Sequence, residues 1–207
     1  TSSAASDVYK RQNYFFFTRM SAIKNTKSLH LLGSSHHTAD LAVREKISLP
    51  QGKIDDFYKG LCSLPGLDEC LLLNTCNRTE IYGASNNGFS PDLLRGYLSE
   101  FRNLDPDFLQ KHSYQHSGEK VVRHLFEVTS GIDSQMVGET EILGQVKKAY
   151  EDACDRNVSG KMLNRLFQKG FQAAKWARTN TGISKGQVNL GNVLCELARR
   201  IFGKVSN

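Results

Sequence analysis

The 207-residue chain has no apolar run near the roughly 20 residues that a helix needs to cross a bilayer, which excludes a helical membrane span. Its longest aromatic patch is Tyr14-Phe15-Phe16-Phe17. It has only five cysteines (62, 70, 76, 154 and 195), an odd number with no C-x-x-C pair. That argues against a disulfide framework and a zinc site, and points to a reducing compartment. Neither G-x-G-x-x-G nor G-x-x-x-x-G-K-[ST] occurs, so dinucleotide and P-loop fingerprints are both missing. What is present is an ordinary globular balance, 39% hydrophobic and 23% charged, which excludes wholesale disorder. The length suits one domain plus something attached.

Charge is unevenly spread. Residues 1–30 carry five basic and one acidic side chain, residues 31–160 carry 13 against 19, and residues 161–200 carry eight against Glu196 alone. An acidic body followed by a basic segment can meet a polyanion, although a solvated helix face produces the same pattern.

The first residues do not read as fold. TSSAASDVYKRQ resembles a translated cloning adapter, and its Ser, Thr and basic content also mimics an organelle transit peptide. Residues 1–27 are therefore set aside as a non-native or disordered leader, with Met20 as the expected biological start. Residues 28–158 are expected to form one domain, and residues 159–207 its helical end and a linker. Leu29 to Gly33, Cys70 to Thr75 and Glu80 to Ala84 read as strands, with Tyr114 in a short extended piece. Helical spacing appears over Ala39–Ile47, Lys53–Ser63, Pro91–Phe101 and Glu119–Val128. It continues through Ile142 to Ala153, Met162 to Ala177 and Val188 to Phe202. The expected fold is α/β (α+β): a small, mainly antiparallel sheet with helices on one face, followed by long C-terminal helices leading away from the body.

Cys76 is the sharpest chemical feature. It sits where an apolar strand stops, in Asn74-Thr75-Cys76-Asn77-Arg78-Thr79-Glu80. A thiolate nucleophile needs a nearby cation or base, and Arg78 is two residues away. An inert thiol at a strand end fits the same residues, and both readings stay open. His36, His37 and His124 are each candidates for a base or an orienting group. His112 and His116 have the i, i+4 spacing of metal ligands, but Ser113 stands where a metalloprotease places its glutamate. No metal site is expected. The loop from Gly131 to Glu139, between two helices, can wrap a polar substrate or simply connect them.

These residues form an ordered set. Gly33-Ser34-Ser35-His36-His37-Thr38-Ala39 with Arg44-Glu45-Lys46, then Asn74 through Tyr82, resemble the glutamyl-tRNA reductase family. So do His124-Leu125-Phe126, Gly131 through Ser134, and Gly138-Glu139 through Lys147. Leu166-Phe167-Gln168, Ala174-Lys175 and Arg178-Thr179 continue the order, and the resemblance spans about residues 29 to 202. Two departures stand out: Ser35 replaces the family's asparagine, and Glu141 replaces its neutral glutamine.

The resemblance implies an NADPH-dependent oxidoreductase of tetrapyrrole biosynthesis. Cys76 would attack the ester of glutamyl-tRNA to form a thioester, which NADPH reduces to glutamate-1-semialdehyde. It implies catalytic roles for Cys76 and His124. Substrate contacts fall on Thr75, Cys76, Asn77, Arg78, Ser134, Glu139, Thr140, Glu141 and Gln145, with Arg78 as the partner of the substrate carboxylate. The family's NADPH-binding and dimerisation domains would follow Asn207, so a fragment without hydride transfer is expected. Further implications are a homodimer in the full-length protein, handover to glutamate-1-semialdehyde aminomutase, and a cytoplasmic location (plastid if the leader is a transit peptide). Two alternatives remain. A non-catalytic tRNA-binding module predicts indifference to thiol alkylation, and a cysteine hydrolase or acyltransferase predicts turnover of simple thioesters.

Overall fold

Runs of consecutive apolar residues in the strands decide the layering. In Cys70-Leu71-Leu72-Leu73 the side chains alternate between the two faces of a sheet, so both faces must be covered. The computed structural model describes residues 28–86 and 89–183. It places these residues in β2 (Leu67–Asn74), which with β1 (Ser28–Ser35), β3 (Arg78–Ser85) and β4 (Tyr114–Ser117) forms an antiparallel sheet of order β2-β3-β1-β4.

On one face Leu29, Leu31, Leu71, Leu73, Tyr82 and Ala84 pack against α5 (Glu119–Thr129), α6 (Glu141–Asp155) and α7 (Lys161–Asn180). On the other face Leu32, Cys70, Leu72 and Ile81 meet α1 (Leu41–Ile47), α2 (Ile54–Leu61), α3 (Asp92–Arg102) and α4 (Pro106–Lys111). Helices therefore cover both faces, not one. Each fully buried leucine or phenylalanine contributes about 1.5–3 kcal/mol on either side.

The helix starts follow local chemistry. Asp40 caps α1 by accepting from Val43 N. Asp105 caps α4 ahead of Pro106, a helix too short for its periodicity to show in the sequence. The N-terminus of α7 is held by a more distant residue. The Glu69 carboxylate on β2 accepts from Met162 N at 3.2 Å and Leu163 N at 2.8 Å. A Cβ on Gly160 would stand 2.6 Å from that carboxyl carbon, so only glycine allows this approach. Leu163, Leu166, Phe167, Gly170 and Ala174 of α7 are buried. Residues 161–180 thus complete the core instead of leading away from it. The helix expected over residues 188–202 lies outside the described residues, as do the leader and Cys195.

The open edge of β2 is also managed. Tyr58 Oη accepts from Leu72 N at 2.9 Å, and Val158 O accepts from Cys70 N at 2.9 Å. Among the described residues no helix is long and apolar enough to cross a membrane.

Candidate functional site

The β2–β3 connection is a tight hairpin organised by Thr75. Its Oγ1 accepts from Asn77 N at 3.2 Å and Arg78 N at 3.1 Å, while Thr75 N donates to Arg78 O at 2.8 Å. Asn74 anchors the base of the hairpin, giving Nδ2 to Leu49 O and accepting from Leu49 N and Thr79 Oγ1. Cys76 is left at the tip, solvent-exposed, as a free thiol.

Two elements grip this tip. From α1, Arg44 Nε donates to Cys76 O at 3.2 Å and its Nη1 to Ala39 O at 2.8 Å. From the end of β1, His36 N donates to Asn77 O at 3.1 Å. Arg44 belongs to the opening motif of the sequence but was not a site candidate. Only the fold shows that it, and not Arg78, is the cation touching Cys76.

Arg78 turns inward, with its side chain 1% exposed. Nη1 donates to Glu80 Oε1 at 2.8 Å and to Asp133 Oδ2 at 3.0 Å, and Nη2 donates to the Asp133 carbonyl. Nη1 gives both of its hydrogens to protein and Nη2 one, while Nε is buried with no hydrogen-bond partner among the described residues, so the Nε–Nη2 edge of the guanidinium is uncommitted. The side chain is buried behind the hairpin and is not presented at its tip. The reason is long-range: its partner Asp133 is 55 residues away.

Glu80 is the hub. Fully buried, it accepts from Arg78, from His124 Nε2 at 2.8 Å and from Tyr114 Oη at 2.5 Å on Oε1, and from Tyr82 Oη at 2.6 Å on Oε2. Burial alone would raise its pKa, but His124, Arg78 and the hydrogen bonds from His124 and Tyr114 hold it far below the carboxylate range. Burial and then the Glu80 charge push the Tyr82 and Tyr114 hydroxyls well above their ordinary value. The ring of Tyr114 lies over Gly33, where a Cβ would come within 2.5 Å of it.

Two histidines of the site are shifted in opposite directions. For His124 burial is opposed by the adjacent Glu80 carboxylate, which prevails and raises the pKa. For His36 burial comes first, joined by His37, Arg78 and Arg44, and the pKa falls. The His36 and His37 rings are in tilted contact with centroids 3.9 Å apart, and His37 Nε2 pairs with Asp133 Oδ1 at 3.0 Å. His36 therefore favours the proton-accepting form and His124 the proton-donating form.

Of the other candidates, Ser134 is buried with its Oγ unpartnered in the described structure. Gln145 of α6 shares a cavity of about 230 Å³ with Asn74, Thr75, Lys148 and Asp152, bringing the helix to the hairpin. Glu139 offers its carbonyl to Arg178 Nη2 at 3.5 Å, while Thr140 and Glu141 are exposed at the start of α6. Asp133, Glu80, Tyr114 and Arg44 were not among the candidates. For Glu80 and Arg44 the signal was their place inside the two quoted motifs. Among the described residues no cluster of three or more His, Cys, Asp or Glu could hold a metal ion.

The site is thus an α+β domain that fixes an exposed thiol beside a buried ionic network. Comparison makes this specific. Residues 32–181 match the model of the glutamyl-tRNA(Glu) reductase N-terminal domain. The glutamyl-tRNA reductase of Akkermansia muciniphila is 42% identical over 178 residues, covering 84% of this chain and 52% of that protein. Glutamyl-tRNA reductase 2 of Koribacter versatilis is 38% identical over 175 residues, 84% of this chain and 40% of the relative. The solved glutamyl-tRNA reductase from Methanopyrus kandleri superposes with a TM-score of 0.67 at 32% identity, covering 84% of this chain and 40% of that one. The chain belongs to the glutamyl-tRNA reductase family and carries its N-terminal domain. It spans about half the length, or less, of these relatives.

Proposed function

We propose that this domain performs the acyl-transfer half of a glutamyl-tRNA reductase reaction. The carrying observation is Cys76 at an exposed hairpin tip, pinned by Arg44 and His36 in a domain of this family. The Cys76 thiolate attacks the ester carbonyl carbon of glutamyl-tRNA. A carbon–sulfur bond forms, the ester carbon–oxygen bond breaks, and the ribose oxygen leaves as a hydroxyl after taking a proton. His36 is the imidazole in the accepting state beside the hairpin. His124, through Glu80, positions Arg78. Thr75 and Asn77 shape the hairpin, and Ser134, Gln145, Glu139, Thr140 and Glu141 are proposed to face the glutamyl group.

The hydride donor that family membership implies is NADPH. The described residues do not fit it: the sheet is antiparallel, with no parallel βαβ unit to set a glycine-rich turn at a helix N-terminus. A homodimer, handover to an aminomutase and a cytoplasmic setting belong to the same proposal for the whole enzyme.

The test is incubation with radiolabelled glutamyl-tRNA, followed by a search for an acid-stable, thiol-sensitive protein label. Cys76→Ser is expected to abolish the label. Equal loss in a folded Cys62→Ser or Cys154→Ser variant overturns the assignment.

A further inference from the structure

Across the described surface, many basic side chains near a carboxylate are paired with it: Lys53 and Lys59 with Asp56, Arg95 with Asp92, Arg123 with Glu127 and Arg156 with Asp55. Other exposed lysines, such as Lys46, Lys111, Lys120 and Lys161, are in no such pair, and one groove gathers several unpaired cations together. Between α6 and α7 a cleft of about 390 Å³ is lined by Lys147, Lys175 and Arg178 with Gln168, Gln172 and Thr179, and by no carboxylate-bearing residue. Its floor is Leu143 and Phe171. On α7 the lining positions recur at helical spacing, so they form one stripe that flanks the buried face of Leu163, Phe167 and Ala174. Lys147 and Lys175 are exposed and make no ion pair among the described residues. Arg178 reaches the Glu139 carbonyl only at 3.5 Å, and its Nε is buried with no hydrogen-bond partner there.

The groove is also linked to the thiol's hairpin through one loop. Arg178 touches Glu139, which ends the loop begun at Gly131. That loop carries Asp133, which holds Arg78, two residues from Cys76. An ester that delivers its acyl carbon to Cys76 brings a 3′-terminal ribose with it, and the preceding nucleotides must cross neighbouring surface. Residues 31–160 as a whole disfavour a polyanion, with 13 basic against 19 acidic side chains.

We propose that the α6–α7 groove binds the phosphate backbone of the substrate RNA near its aminoacylated end, with Lys147, Lys175 and Arg178 contacting phosphates. The inference deepens the glutamyl-tRNA reading above and rests on it for the identity of the ligand. A concave cleft with separated cations and amide donors suits a phosphodiester chain. The contacts are to backbone, so they contribute affinity and register but no sequence preference.

The experiment uses the full chain and deacylated tRNA(Glu) as probe, with affinity measured across a salt series. Each phosphate contact contributes about 0.7–0.9 to the slope of log K against log salt. The pair Lys147→Glu with Lys175→Glu is expected to lower affinity at least tenfold at low salt and to reduce the slope by about 1.4–1.8. Lys53→Glu with Lys59→Glu changes the net charge equally on another element and is expected to bind nearly as the parent does. Both altered lysines of the groove are exposed, so folding is checked by thermal unfolding and by an unchanged rate of Cys76 alkylation.

Unchanged affinity and slope in the folded groove variant overturn the proposal. So does an equal loss in the control pair, which would show only a general charge effect. Absence of salt-dependent binding by the parent chain overturns it as well. If the groove variant loses affinity while the parent is never labelled by glutamyl-tRNA, the groove stands as an RNA site and the acyl-transfer reading fails instead.

Discussion

Cys76 and Arg78 are two residues apart, yet one is exposed at a hairpin tip and the other lies 1% exposed in a four-element ionic cluster. The tip is fixed through backbone groups: Thr75 Oγ1 takes two N–H groups, and Arg44 and His36 hold the Cys76 and Asn77 carbonyls. The Cys76 side chain is thereby free for chemistry. At Arg78 the side chain itself ties β3 to Glu80 and to the loop at Asp133. One end of a hairpin can thus separate reactivity from support within three residues. Substitution at the tip should cost chemistry, and substitution at the cluster should cost stability.

The largest expected effect is complete loss of the acyl-enzyme in Cys76→Ser, with the urea midpoint unmoved because the side chain is exposed. A large fall in stability would break the comparison. Arg78→Met comes next. It removes one of the two cations at the buried Glu80 and the cation that pairs with Asp133, and breaking a buried pair costs about 3–5 kcal/mol, read from denaturant unfolding at pH 7.

His124→Asn removes a charged hydrogen bond to Glu80 and is expected to cost about 1.5–3 kcal/mol at pH 6. The raised pKa of folded His124 sets the sign. Its contribution is complete below the unfolded value of about 6.5 and fades as pH rises through the folded value, so the gap between parent and variant should narrow at pH 9. Glu80 acts oppositely. Its folded pKa is depressed, so its contribution is present above the unfolded value of about 4.3 and is lost on acidification below it. A parent protein whose stability is flat from pH 6 to pH 3 would contradict the hub assignment.

Smallest is Cys62→Ser. Its Sγ lies 3.5 Å from that of the buried Cys70, but the residue is exposed, so a change within about 0.5 kcal/mol and unaltered labelling are expected.

Much of the local structure was legible in the chain. The strands around Leu31, Leu72 and Ile81, the polar tip at Cys76 and the helical stripes through Val121, Val146 and Leu166 follow from side-chain periodicity. Period is a short-range property, so a window of ten residues contains it. The family motifs located the hairpin and the Gly131–Glu139 loop for the same reason, since each is contiguous.

Relations across distance were decided only by folding. Which face of the sheet each helix covers depends on how Leu71 and Leu72 divide between two cores, and the apolar run is silent about what packs there. That residues 161–180 close the body depends on Glu69 capping α7 from 93 residues away. Arg78 faces inward because Asp133, His124 and Tyr114 converge on Glu80. Electrostatic energy falls with spatial separation and takes no account of sequence separation, so a basic residue beside a cysteine in the chain became a buried tie. Arg44, 32 residues earlier, became the cation at the thiol's loop.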